Sequence, residues 1–156
     1  MATSIRKGTE NDFDALMGLI KDLAVFEKSP DAVRNSPELM KLDKDFFGFF
    51  VAEDGGRIIG YALYFFAYFS WVGKSLYLED IYVAPEHRGR KVGYLLMKRV
   101  VELAKSEGCR RMRWQVLSWN EKAIRFYKRC SAEVDDEWLN CTLDEAGIAG
   151  FLKSKT

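Results

Sequence analysis

Apolar residues change their spacing several times along this chain, and each change marks an element. Phe13, Leu16, Met17, Ile20, Leu23 and Ala24 recur three and four apart, which predicts an amphipathic helix to about Glu27. Thr9 with Asp12 three residues later supplies its start signal, and Ser29-Pro30 ends it. Thr3 to Lys7 reads as a short strand ahead of this helix. Ser36 followed by Pro37 opens a second short helix to about Lys44. The pattern then turns aromatic and dense. Phe46 to Glu53 and Arg57 to Phe69 read as strands joined by the Asp54-Gly55-Gly56 turn, and Ser75 to Val83 as a further strand after Gly73-Lys74. Ile58 to Val72 is almost wholly apolar. It is shorter than the ~20 residues of a membrane helix and rich in Tyr and Phe, so it reads as a buried strand.

Ala84-Pro85 ends that strand, and the polar segment EHRGRK leads into a helix whose Val92, Leu95, Leu96, Val100, Leu103 and Ala104 share a face, closed by Gly108. Arg110 to Leu117 reads as a strand, Asn120 to Cys130 as a helix, and Ala132 to Leu143 as one or two closing strands. No repeat or long linker interrupts the order. The pattern predicts one mixed α/β domain over residues 1–156 with a central sheet.

Charge changes this picture little: 24 basic against 23 acidic side chains give a net charge of +1, so neither nucleic acid nor an anionic membrane is expected as a partner. The 3 cysteines, Cys109, Cys130 and Cys141, lack paired spacing, and with a single histidine a Cys/His metal site is not expected. Reduced thiols in a cytoplasmic protein fit better, and the first residues carry no apolar leader stretch.

The stretch from Ser75 to Glu102 carries the most chemistry. A strand, a basic loop with Gly89 and the first turn of a long helix follow one another. Free backbone N–H groups at such a helix start suit phosphate, and Gly89 and Gly93 leave the backbone open to a ligand. Arg88, Arg90 and Lys91 add positive charge there. The alternative is a loop that only turns the chain, with a solvated basic face. Neither G-x-x-x-x-G-K-[ST] nor G-x-G-x-x-G occurs.

Strand, R-G-x-x-x-G loop and helix, in this element order, resemble the GNAT superfamily of acetyl-coenzyme A-dependent N-acetyltransferases. YLEDIYVAPEHRG, WNEKAIRFYKR and LAVFEK are most similar to its spermidine/spermine and thialysine (diamine) branch, and the resemblance runs over nearly the whole chain. It implies a mixed, mostly antiparallel sheet of six to seven strands flanked by about four helices, and a homodimer. It also implies acetyl-CoA as co-substrate, with the pyrophosphate on Arg88, Gly89, Arg90, Lys91, Val92, Gly93 and Tyr94. The pantetheine arm would lie along Ile81, Tyr82 and Val83, at a splay from the strand after Arg110. Lys91 departs from the family loop, which has glycine there, and altered affinity rather than lost binding is expected.

Acetyl transfer to an amine needs a deprotonated amine, donors for the oxyanion and an acid for the departing thiolate. By resemblance Tyr127 is that acid, and Asn120 and Ala123 contact the cofactor. The bland alternatives are a packed aromatic and a helix cap. Glu79 is expected to organise the acceptor amine. Strict alternation puts Asp80 on the opposite face, so both acids share one cleft only if the strand bulges; Asp80, a further candidate for the acceptor, reads first as a structural hydrogen-bond acceptor. The resemblance also nominates Glu27 and Trp71 for the acceptor. Phe69 stands where polyamine-preferring members carry an acid, which favours a short diamine or a lysine analogue. The expected activity is direct transfer to a primary amine of a small cationic metabolite, without a metal. A protein-lysine acetyltransferase and a regulatory acetyl-CoA-binding module are the alternatives.

Overall fold

A computed structural model describes residues 3–153, which form two compact units, one to Gln115 and one from Val116. The first unit holds the sheet. Its strands are β1 (Ser4–Lys7), β2 (Gly48–Asp54), β3 (Arg57–Phe69), β4 (Gly73–Val83) and β5 (Met112–Arg113), and its helices are α1 (Phe13–Phe26), α2 (Pro37–Leu42) and α3 (Val92–Ser106). The strands lie in sequence order, antiparallel from β1 to β4 and parallel between β4 and β5. Gly55 and Gly56 both take positive φ in the two-residue turn between β2 and β3, the geometry that suits the twist of a hairpin.

The apolar faces read from the sequence meet as expected. Phe13, Leu16, Met17 and Leu19 of α1 pack on Phe49, Val51, Tyr61 and Tyr82, and α3 buries Val92, Leu96, Met97, Val100 and Ala104. The start of α1 is fixed by charge as well as packing. Asp12 sits in a capping box with Thr9 and takes both guanidinium N–H groups of Arg6, at 2.9 and 2.8 Å, while Arg6 Nε donates to Glu53 at 2.9 Å. The Arg6 hydrogen bond foremost holds the Asp12 carboxyl at about 2, below its ordinary 3.8. That depressed value stabilises the fold above the unfolded pKa, and the contribution fades as pH falls from about 4 towards 2. Asp12→Asn is expected to cost about 2 kcal/mol at neutral pH. In urea unfolding its difference from the parent should shrink as the pH is lowered through that window.

The second unit contains α4 (Glu121–Arg129) and α5 (Glu145–Lys153). The sheet therefore has five strands among the described residues, not six to seven. Residues 132–144 form no strand. Their apolar side chains alternate poorly, Trp138 and Leu139 are exposed, and Asp135 takes the Glu137 N–H in a local turn that competes with a ladder. The strand expected from Arg110 to Leu117 shortens to two residues. Ser131, with φ of 63°, occupies the left-handed position that ends α4, where glycine is the usual occupant.

Candidate functional site

The residues expected on β4 are brought together by an irregularity. Asp80 pairs with Leu63 and Leu78 with Tyr64, so Glu79 has no partner on β3 and the strand bulges there. Alternation is broken at that point. Asp80 then faces the C-terminal end of α1, where it lines a pocket of about 200 Å³ with Glu27, Ile20, Leu23, Ala24 and Val33. Its Oδ2 accepts from the Tyr61 hydroxyl at 3.1 Å, and Tyr61 is fully buried. Burial raises the Asp80 carboxyl above its ordinary value, against the Tyr61 hydrogen bond. Glu27 is also raised, by desolvation first and by the Asp80 charge second. Glu79 is raised by desolvation, then by Asp80 and Glu27. The three carboxylates thus feel one another, and an apolar pocket with carboxylates at its wall suits an alkylammonium.

The loop after β4 is built around arginine contacts. Arg88 Nε donates to the Val83 carbonyl at 2.8 Å, and its guanidinium lies 5.3 Å from the rings of both Phe26 and Tyr82. Arg90 is held by Asp54 at 3.0 Å and approaches His87 Nδ1 at 3.2 Å. Both side chains therefore shape the loop, and the backbone is what the loop offers. Lys91 caps α3 in the left-handed conformation, with φ of 62°, without a side-chain hydrogen bond, and no acid lies in the first turn. A Cβ at Gly89 would meet nothing, and one at Gly93 only the Val83 side chain at 3.9 Å. The first-turn N–H groups of Val92, Gly93 and Tyr94 thus have neither a side-chain cap nor an acid beside them. Lys91 already adopts the conformation for which the family uses glycine, so its departure changes a side chain rather than the path of the loop.

Beside this loop, β5 leaves β4 early. Leu76 pairs with Met112 and Tyr77 with Arg113, and no further pairs follow. The β4 edge along Ile81, Tyr82 and Val83 is left without a β5 ladder, as the expected splay requires.

In the second unit, Asn120 Oδ1 accepts from the Ala123 N–H at 3.2 Å and caps α4. Tyr127 is the buried residue of that helix, its ring 5.5 Å from that of Phe126.

Trp71 is not brought to the Asp80 pocket. It lies at the tip of the β3–β4 hairpin, 85% exposed, six β3 residues from the Asp80 partner Leu63, or roughly 20 Å at strand rise. Sequence reasoning also passed over Tyr61, which holds Asp80. It stands in an apolar run, and only the β3–β4 register reveals its partner. No group of three or more His, Cys, Asp or Glu side chains that could hold a metal occurs among the described residues. No helix among them is long and apolar enough to cross a membrane.

Comparison with known proteins agrees with this geometry. Residues 14–132 match the acetyltransferase (GNAT) family. The chain is similar to the thialysine N-epsilon-acetyltransferase of Mus musculus, at 40% identity over 89% of this chain and 91% of that protein. The protein of the same name from Caenorhabditis elegans is 34% identical over 92% of both. Among solved structures, a "predicted acetyltransferase" of Clostridium acetobutylicum with acetyl-CoA superposes with a TM-score of 0.75 at 22% identity, covering 90% of this chain and 96% of that one.

Proposed function

Because the chain belongs to the acetyltransferase (GNAT) family and is an amine N-acetyltransferase, we propose that it acts on a primary amine of a small cationic metabolite, a short diamine or a lysine analogue such as thialysine. The observation that carries this reading is the small apolar pocket lined by Glu27 and Asp80, with Glu79 close enough on the bulge to feel both charges. In this reading Glu27 and Asp80 bind the cationic acceptor, and Glu79, on the bulge, orients the attacking amine and relays its proton.

Acetyl-CoA supplies the acetyl group as an activated thioester. The backbone from Arg88 to Tyr94 receives the pyrophosphate, and the unladdered edge at Ile81 to Val83 receives the pantetheine amides. Asn120 and Ala123 contact the cofactor, and Tyr127 protonates the departing thiolate. Residues 1–156 act as one catalytic domain by direct transfer in a ternary complex. A homodimer follows from the resemblance, and the exposed Trp71 and Tyr68 at the hairpin tip supply apolar surface for it, so Trp71 is better placed for such a contact than for the pocket of its own chain. The free thiols of Cys109, Cys130 and Cys141 suit the cytoplasm.

The raised carboxyls give this reading a pH signature. Their ionised forms bind the cation, so acceptor binding is lost as pH falls through their raised values. The acid limb of kcat/KM for the amine is expected above the ordinary carboxylate range of ~4. A pH–rate profile flat down to that range would contradict it. Mass-spectrometric product analysis with thialysine and a lysine-containing peptide in competition tests the substrate class. Acetylation of the free amine alone is expected, and preferential acetylation of the peptide would favour a protein-lysine enzyme.

A further inference from the structure

The loop after β4 follows a path that a chain without support does not keep. Gly89 and Lys91 both take left-handed backbone, with φ of 81° and 62°, and Arg90 stands between them. Glycine adopts that conformation without steric cost, but lysine does not, so Lys91 needs surroundings that hold it there. Its own side chain makes no capping hydrogen bond. Arg90 supplies the anchor. Its Nη2 lies 3.0 Å from Asp54 Oδ2, and its Nη1 lies 3.2 Å from His87 Nδ1. An arginine has only donors, so His87 accepts at Nδ1 as the neutral ring, with its proton on the Nε2 that lies 4.0 Å from Glu86. Partners on two different nitrogens fix the orientation of the guanidinium plane as well as its position.

Asp54 is held in turn by the hairpin it belongs to. It ends β2, pairs with Arg57 across the Gly55-Gly56 turn, and keeps its side chain only 17% exposed. The same end of β3 also carries the loop by its backbone. Gly60 pairs with Val83, and the Ala84 N–H donates to the Ile59 carbonyl at 2.9 Å. A Cβ at Gly60 would come within 2.7 Å of the Tyr82 carbonyl, so the strands approach there as only glycine allows. The loop is therefore tied to the β2–β3 hairpin twice, by backbone before Pro85 and by a side chain after Gly89. The second tie falls immediately before Lys91 and the first-turn N–H groups of α3.

We infer that Asp54 is a positioning residue for the cofactor: through Arg90 it holds the loop in the arrangement that presents the N–H groups of Val92, Gly93 and Tyr94 to the pyrophosphate together. This inference rests on the acetyl-CoA reading above and adds to it a residue outside the loop. Asp54 touches neither the cofactor nor the reacting atoms. Its charge is matched by that of Arg90, so it contributes placement rather than potential. Removing it weakens binding even though a negative group leaves the neighbourhood of a phosphate, the opposite of what charge alone dictates.

Calorimetric titration with coenzyme A reads this effect without turnover. Asp54→Asn is expected to weaken coenzyme A binding about fivefold, the upper range for one partly exposed ion pair. The KM for acetyl-CoA should rise by the same factor, with kcat within about twofold of the parent. Asp54→Glu keeps the charge and is expected to restore most of the affinity. Arg90→Gln should weaken binding by a similar factor. Once it is present, Asp54→Asn should add less than about twofold, because two partners in one contact are not additive. Coenzyme A binding that is unchanged or tighter in Asp54→Asn would overturn the inference, whatever the variant does to the melting temperature. So would a loss that persists in full on the Arg90→Gln background. A parent protein that binds no coenzyme A would instead remove the cofactor reading, and this inference with it.

Discussion

Tyr127→Phe is expected to lower kcat about 100-fold while leaving the Kd for acetyl-CoA within about twofold, the range for losing one positioned acid without losing a binding surface. The substitution isolates the hydroxyl. A phenylalanine keeps the ring beside Phe126 and the burial of that helix face, so α4 and its Asn120 cap stay as they are. If the tyrosine only packs, removing its oxygen is close to neutral. If it protonates the thiolate, turnover falls and cofactor binding does not. Steady-state kcat measured beside equilibrium binding of acetyl-CoA separates the two, and an unchanged kcat would remove Tyr127 from the mechanism.

Asp80→Asn is expected to raise KM for the amine about 30-fold or more, in the range for removing one partner of a partly buried charge pair. Asparagine retains an oxygen to accept from Tyr61, so the contact that holds the strand at 3.1 Å has a replacement. What disappears is the charge. Burial already raises the Asp80 carboxyl, so its ionised form opposes folding, and that penalty grows as pH rises through the raised value. The neutral variant should therefore unfold at the same temperature as the parent or higher, while binding the amine worse. Lower stability with an unchanged KM would make Asp80 a structural acceptor. Glu27→Gln at the more exposed lip of the pocket is expected to shift KM in the same direction by a few-fold only.

How far the sequence disclosed this molecule depends on the kind of signal. The bounds of β3 coincide with expectation because Gly55-Gly56 and Gly73 punctuate both ends of a long apolar run. The loop into α3 was legible from Arg88, Gly89 and Gly93, whose types matter more than their neighbours. The bulge at Glu79 was not, because period-two alternation assumes a regular ladder and the extra residue shows only in the register with β3. Tyr61 was hidden for the same reason: its significance comes from its partner Asp80 on another strand. The closing strands failed differently. Val134, Trp138, Leu139 and Leu143 are apolar but exposed, and among acidic neighbours they do not define a face. Trp71 matched a family position, yet hairpin geometry carries it to the far end of β3 from the pocket.

The most direct measurement of the central claim is release of coenzyme A from acetyl-CoA in the presence of thialysine, lysine, short diamines, spermidine and a lysine-containing peptide. The account predicts turnover on thialysine, lysine or a short diamine well above that on spermidine and the peptide. Bound acetyl-CoA with no acceptor-dependent release across the whole panel would contradict it and leave a regulatory acetyl-CoA-binding module in its place.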